Sequence, residues 1–266
     1  MGGDVQRIAM GVEYDGSTFS GWQIQSQDNV RTVQACVESA VAVVADHPLR
    51  IHCAGRTDTG VHGLGQVIHF ETAVQRSLHS WVFGTNANLP GDISILWARN
   101  VDAGFHARFS AQRRRYRYII FNRQVRPAVM ASHLSWEYRP LDEQRMARAA
   151  TYLLGEHDFS SFRAYACQAN SPVRTLYELS VKRAGERLVI DIEANGFLHH
   201  MVRNIVGVLI TIGAGEREEE WIQEVLAARD RQLGGVTAPP QGLTLVRVTY
   251  PAHFGLPEFI PPIDFY

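Results

Sequence analysis

The stretch Ile51-His52-Cys53-Ala54-Gly55-Arg56-Thr57-Asp58-Thr59-Gly60-Val61-His62-Gly63-Leu64-Gly65-Gln66-Val67-Ile68-His69-Phe70 constrains this chain more than any other. Two apolar, β-prone runs, 51–54 and 66–70, flank a segment dense in glycine and polar residues, which reads as strand, loop, strand. The loop carries one acid, Asp58, two positions from Arg56, with Gly55, Gly60, Gly63 and Gly65 around it. Glycine lets a backbone take positive φ or approach another group closely. A single carboxylate on such a loop beside a cation is a candidate nucleophile or base. The plainer alternative is a solvated turn whose Asp caps its own backbone, and spacing alone leans slightly that way.

Composition bounds the rest. At 266 residues, 45% hydrophobic and 20% charged, the chain suits a soluble globular protein of two modest domains or one large one. No apolar run reaches the length of a membrane span. The start, Met1-Gly2-Gly3-Asp4-Val5-Gln6-Arg7, lacks a basic segment followed by an apolar one, so no signal peptide is expected. Cys36, Cys53 and Cys167 are odd in number and scattered, which argues against a disulfide framework and fits a reducing cytoplasm. A net charge of −1 argues against nucleic acid unless positive charge is gathered on one face.

It is gathered in sequence. Arg108, Arg113, Arg114, Arg115, Arg117, Arg123 and Arg126 fall in 105–126 with no acid among them, while Glu216, Glu218, Glu219, Glu220 and Glu224 cluster elsewhere. Such segregation makes a local positive field, unless acids distant in sequence balance the strand in space. Tyr116, Tyr118 and Phe121 interleave with the arginines, a mixture that serves phosphates and stacked bases. An anionic ligand is the favoured reading.

In chain order, 7–14 reads as a strand and 17–29 as a loop around Trp22. Thr32 caps a helix through Ala45, with Val33, Cys36, Val37, Ala40, Val41 and Val44 on one face. The strands around Asp58 follow, then a helix over 78–88 capped by Ser77 and a strand over 93–98. The second half repeats the pattern with one helix more. It has a strand at 113–122, a helix at 142–154 closed by Gly155, and strands at 176–182 and 187–194 joined by Ala184-Gly185-Glu186. Helices at 198–212 and 218–228 and a strand at 243–249 complete it. Each half has the order of a ferredoxin-like βαββαβ unit. The fold class is therefore α/β (α+β), with two such halves forming a mainly antiparallel sheet with helices on one face. The halves are 1–106, carrying the Asp58 loop, and 107–266, carrying the basic strand and the Arg203 helix, with the boundary in 102–111. The proline-bearing tail, 251–266, is expected to pack as extended chain.

A third constellation spans Asn195 to Gly207. Arg203 sits in a stretch that otherwise reads as buried, and a buried cation is costly unless paired. Asp58 is an attractive partner, since a nearby guanidinium keeps a carboxylate ionised and aimed; snorkelling to solvent is the alternative. His199 and His200, adjacent in sequence, suit chelation poorly, and His52, Cys53 and His62 lack a metal-site spacing, so no metal is expected. Asp58-Thr59-Gly60 also spells the aspartic-protease tripeptide. That chemistry needs two such acids sharing a proton, hence a homodimer joined at Asp58. A non-catalytic RNA-binding module explains the basic strand but gives Asp58 and Arg203 no task.

The motifs Gly55-Arg56-Thr57-Asp58-Thr59-Gly60-Val61-His62-Gly63 and Gly65-Gln66-Val67 resemble the signature of the tRNA pseudouridine synthase A family, which usually has Ala where this chain has Thr59. The resemblance runs nearly the full length. It includes Glu13-Tyr14-Asp15-Gly16, Gly21-Trp22-Gln23, Asn86-Ala87-Asn88-Leu89-Pro90, Phe105-His106-Ala107-Arg108, Arg115-Tyr116-Arg117-Tyr118 and the stretch from Phe197 to Gly207. It implies the pseudouridine synthase fold, a homodimer, no cofactor, and isomerisation of uridine to pseudouridine at positions 38, 39 and 40 of the tRNA anticodon stem-loop. It casts Asp58 as nucleophile or base and Tyr116 as the tyrosine stacking on a flipped-out base. Arg203 resembles the arginine paired with the acid, Arg56 the residue that helps displace the base, and Leu243 a pocket wall. Phosphate contacts are expected of Arg108, Arg113, Arg114 and Arg115. One ionised acid acting on an extruded base agrees with that chemistry.

Overall fold

The computed structural model describes residues 5–25 and 30–258. The readings that touch 1–4, 26–29 and 259–266, namely the first residues of the leader argument, the end of the first loop and the last part of the tail, lie outside the described residues. The chain forms two compact units, Met1–Gln112 with Leu245–Tyr266, and Arg113–Thr244.

In the first unit, β1 (Gln6–Tyr14) lies between β3 (His62–Thr72) and β4 (Ile93–Val101), antiparallel to both. The short β2 (His52–Cys53) pairs with the far end of β3. Alternation explains the layering. Ile8, Met10 and Val12 of β1, with Ile68 and Phe70 of β3, bury one face against Val33, Val37 and Val41 of α1 (Val33–Ala45) and Trp81 of α2 (Leu78–Asn86). Each large side chain so buried contributes about 1.5–3 kcal/mol. Ala9 and Val67 point the other way, onto Phe105, Ala107, Tyr250, Phe254 and Leu256. Both helices start where their capping residues dictate: Thr32 accepts from the Ala35 N–H and Ser77 from the Ser80 N–H at 3.0 Å. The tail makes a short 3₁₀ turn at Ala252–Phe254, where extended chain was expected.

The second unit begins with β5 (Arg113–Asn122) and β6 (Ser135–Glu137), which run parallel to each other. Then come α3 (Glu143–Thr151), β7 (Gly155–Asp158), β8 (Val173–Ala184) and β9 (Arg187–Ala194). The strands lie in the order β5-β9-β8-β7, antiparallel throughout. The expected hairpin is present, with Gly185 at φ 61°. The helices α4 (Met201–Gly213) and α5 (Trp221–Ala228) follow, and α4 is buried on nearly every side. The last strand, β10 (Leu243–Thr249), leaves this unit at its first residues and carries the chain back to the first. No helix among the described residues is long and apolar enough to cross a membrane.

The element order differs from expectation in β6 and β7. Both are three or four residues long, and Gly-Glu-His-Asp carries no alternating apolar signal, so only pairing reveals β7. Gly155 does more than close α3: at φ 92° it turns the chain straight into that strand. The helix α4 starts at Met201 rather than 198 because His200 is left-handed, φ 61°. The strand β3 starts at His62, four residues earlier than its apolar run suggests, so the Asp58 loop is shorter than its glycines imply.

Candidate active site

The loop between β2 and β3 is gripped on both sides of its acid. Thr57, buried and immediately before Asp58, shares a 2.9 Å hydrogen bond between its Oγ1 and the Tyr14 hydroxyl. Its carbonyl accepts from the Trp22 N–H at 3.0 Å. Gly21 makes that approach possible: it sits at φ 87°, and a Cβ there would lie 2.9 Å from the Thr57 carbonyl oxygen. The Tyr14 ring in turn packs against β3 where Gly63 offers no side chain; a Cβ would sit 2.5 Å from the ring. After the acid, the Val61 N–H bonds to the Asp58 carbonyl at 3.1 Å, and Gly60 turns at φ 76°. Gln66, 0% exposed, closes the other end, with Nε2 donating to the Gly55 carbonyl at 2.6 Å. Asp58 itself is half-buried, while Arg56 and Thr59 are exposed. A carboxylate held this way has lost most of its backbone freedom before substrate arrives, which is what a catalytic acid needs.

His62 adds an anchor from β3: the Gly16 N–H donates to its Nδ1 at 3.0 Å. The Asp15 carboxylate lies 3.1 Å from the same nitrogen. The backbone N–H direction is fixed, so Nδ1 acts as acceptor toward Gly16 and the Asp15 contact is secondary. Thus the Glu13-Tyr14-Asp15-Gly16 and Gly21-Trp22 motifs are the floor of the Asp58 loop. Tyr14, Thr57, Trp22 and Gln66 have no role in the sequence reading. The usable signal was a polar Gln placed where β3 alternation turns inward.

In the second unit, Tyr116 on β5 is 8% exposed and meets the Phe197 ring edge-on, 5.1 Å between centroids at 89°. Arg203, on the first turn of α4, donates through Nε to the Ala238 carbonyl at 2.8 Å, and its own carbonyl accepts the Ala238 N–H at 3.1 Å. Its guanidinium is therefore placed by the chain. Burial pushes the Tyr118 phenol up, opposed by Ser135 and, less, by the nearby Arg203 guanidinium. The Tyr118 hydroxyl donates to the Pro239 carbonyl at 2.8 Å. Leu243 is buried at the start of β10, just after Gly242, whose carbonyl accepts from Ile119 on β5. The structure therefore groups Tyr116 with Phe197, and Arg203 with Tyr118 and the 238–243 segment.

The arginines divide by face. Arg113, Arg115 and Arg117 project from the side of β5 opposite to Tyr116, and β9 answers them with acids. Arg115 stands opposite Glu193 in register, and Arg117 opposite Asp191. Arg117 holds Asp191 bidentately at 2.9 and 3.0 Å. Arg113 reaches Glu193 at 3.1 Å, and Arg115 reaches Glu178 of β8 at 2.8 Å. The charge run is thus a cross-strand ladder balanced by acids distant in sequence, and the acids of 216–219 pair with Arg139, Arg145 and Arg148 instead. Arg114 alternates onto the Tyr116 face and donates to the Asn195 carbonyl at 3.0 Å. Arg108 is exposed in the first unit, two residues after His106.

The family model described as tRNA pseudouridine synthase matches residues 10–110 and 149–251. The tRNA pseudouridine synthase A of Pseudomonas aeruginosa is 59% identical over 254 residues, 96% of this chain and 89% of that protein. Those of Nitrosococcus oceani and Coxiella burnetii are 58% identical over 257 residues (97% and 98% covered) and 56% over 252 (95% and 96%). The crystal structure of a Cbf5-Nop10-Gar1 complex is similar only at 11% identity and a TM-score of 0.35, covering 76% of this chain and 45% of that chain, and carries no argument.

Proposed function

Because the chain belongs to the tRNA pseudouridine synthase family, we propose that it isomerises uridine to pseudouridine at positions 38, 39 and 40 of the tRNA anticodon stem-loop, with Asp58 as its catalytic carboxylate. The reaction breaks the N1–C1′ bond, turns the uracil, and joins C5 to C1′. It is redox-neutral and transfers no group to a carrier, so an acid, a fitted pocket and an extruded base suffice. Asp58 is the acid. Tyr116, fixed edge-on by Phe197, offers its ring to the flipped base. Arg203 is the arginine assigned to support the acid, Arg56 helps displace the base from its stack, and Leu243 closes the pocket.

Arg108 and Arg114 contact phosphates. Arg113 and Arg115, engaged with Glu193 and Glu178, are assigned a more distant stretch of backbone. A homodimer enlarges the RNA-binding surface, and the enzyme works in the cytoplasm.

The observation carrying this reading is the double grip on Thr57, which makes the Asp58 loop a built carboxylate mount rather than a solvated turn. The test incubates the protein with unmodified tRNA transcript and maps pseudouridine base by base. Wild type should yield product in the anticodon arm, and Asp58→Ala should lose on the order of 10⁴-fold or more in rate. Arg203→Met should collapse turnover while tRNA affinity changes little. Product from Asp58→Ala, or wild-type product confined to another arm, would refute the assignment. RNA binding without any wild-type product would favour the non-catalytic module.

A further inference from the structure

Beside Arg114, the second unit carries two further cations that the roles above leave unused. Arg163 lies in the loop before β8, Arg174 is the second residue of β8, and Arg114 is the second residue of β5. Sheet register brings them to one end: Arg114 stands opposite Ala194, the last residue of β9, and the Asn195 N–H bonds to the Thr175 carbonyl beside Arg174. Arg114 donates to the Asn195 carbonyl, and a Cβ on Gly196 would lie 3.4 Å from Arg174 Nε. Arg174 Nη1 donates to the carbonyls of Ser171 at 2.9 Å and Val173 at 2.5 Å, and Arg163 Nη2 to that of Cys167 at 2.6 Å.

These partners differ from those of the β5 ladder. Carbonyls fix a guanidinium without cancelling its charge. Among the described residues no carboxylate pairs with Arg163 or Arg174. The surroundings bear on two local groups. Burial pushes Arg174 below its ordinary range; the Cys167 sulfur opposes this, and the like charges of Arg163 and Arg114 add to it more weakly. Burial raises the Cys167 thiol, but the His199 and Ala169 N–H groups together with Arg163 more than offset it and leave it below the usual range. A half-buried cation among like charges is costly until an anion joins it. The neighbourhood identifies that anion: Gly196 leads directly into Phe197, which braces Tyr116, and Tyr165 stands 79% exposed on the same loop as Arg163.

We propose that Arg163 and Arg174, with Arg114, form a subsite for RNA phosphodiester groups at the sheet end beside Tyr116, holding the backbone next to the nucleotide presented to that ring. The guanidinium fork suits a phosphate's two free oxygens, and the carbonyl anchors pre-orient it. This rests on the reading of Tyr116 as the base platform and extends it to residues outside the basic strand.

The test measures the affinity of full-length protein for unmodified tRNA transcript across a salt series. Each cation removed from a phosphate should flatten the log–log salt dependence by about 0.7 to 0.9. Arg163→Ala and Arg174→Gln should each show that flattening and bind about three- to tenfold more weakly near 0.15 M salt. Arg174→Lys, which loses the same carbonyl geometry but keeps the charge, should retain the wild-type slope. Arg148→Ala, whose partner is Glu219 on the α3 side, serves as the control. Equal slopes for Arg163→Ala, Arg174→Gln and the control would overturn the subsite, as would equal slopes for the Gln and Lys variants. Pseudouridine mapping on wild type is read separately. Wild-type product with unchanged slopes refutes the subsite alone, and flattened slopes without wild-type product refute the enzymatic reading alone.

Discussion

The Asp58 loop and the basic strand β5 are the two segments that chemistry singles out, and they are held in opposite ways. The loop is fixed by neutral, buried contacts: the Tyr14 hydroxyl on Thr57, the Trp22 N–H on the Thr57 carbonyl, and the Gln66 amide on Gly55. The strand is fixed by charge: Arg113, Arg115 and Arg117 against Glu193, Glu178 and Asp191. Neutral buried hydrogen bonds are insensitive to salt and add no charge beside the carboxyl group they mount. Ion pairs consume the field they are made from. The densest charge in the sequence is therefore the one most compensated by acids, while Arg163 and Arg174 are tied to carbonyls instead.

The comparison breaks most visibly if the loop tolerates distortion. Gly21→Ala puts a Cβ 2.9 Å from the Thr57 carbonyl at a φ of 87°, where a side chain costs about 1–3 kcal/mol in strain. The strain falls on the residue before Asp58. A displacement of the acid by a fraction of an ångström to an ångström should lower turnover on the order of 10²-fold. Affinity for tRNA should stay near wild type, since no cation has moved. Single-turnover kinetics beside a binding isotherm separate the two. Full activity in Gly21→Ala would mean that the grip on Thr57 does not position the acid.

A smaller effect is expected where the strand's ladder is cut. Asp191 is 7% exposed and accepts both N–H groups of Arg117, with Arg115 at 3.7 Å. In Asp191→Asn the shape survives while the charge that binds the arginines is lost. Stability should fall by about 2 kcal/mol, less than the full cost of breaking a buried pair because the arginines are partly solvated. The released guanidiniums should then raise tRNA affinity about threefold at low salt and steepen the salt dependence by roughly one unit. Unfolding curves and a salt series check both. Unchanged RNA binding would show that this face of β5 never meets the substrate, whatever its charge.

Much of this was readable in advance, and the failures share a cause. Helix starts were legible because Thr32 and Ser77 cap through atoms three residues away. The strand β5 was legible because its alternation is local. The acids opposite it were not, since Glu193 is 80 positions from Arg113 and only the β5–β9 register brings them together. In the same way, 43 positions separate Tyr14 from Thr57. The sequence marked the tyrosine as part of a motif without saying what it touches. The strand β7, built from Gly-Glu-His-Asp, has no local pattern and exists only through its pairing with β8. The site followed the same division: Asp58, Tyr116 and Arg203 stood out by residue type, while the residues that hold them had to be found in space.

The least effect comes from acid, and it tests whether neutral anchoring extends beyond the Asp58 loop. His69 of β3 is 3% exposed, and its Nδ1 accepts the Ala107 N–H at 3.1 Å, fixing the turn that presents Arg108. Its ring stacks on His52 and meets His106 edge-on, with Arg7 and Glu71 nearby. Burial, then the like charges of His106, His52 and Arg7, push its pKa from 6.5 down to about 3, with Glu71 opposing weakly. Between those values the unfolded chain binds a proton that the folded chain refuses. Stability from this group is therefore complete above pH 6.5 and is lost progressively as pH falls toward 3. One site can cost at most about 1.4 kcal/mol per pH unit. Partial solvation of the cluster reduces this to about 1 kcal/mol between pH 6.5 and 5. His69→Asn keeps an acceptor for the Ala107 N–H and removes the titration. In urea unfolding at pH 7.5 and 5, wild type should lose about 1 kcal/mol more than the variant. Parallel losses would place the acid sensitivity in other groups and would leave neutral anchoring a property of the Asp58 loop alone.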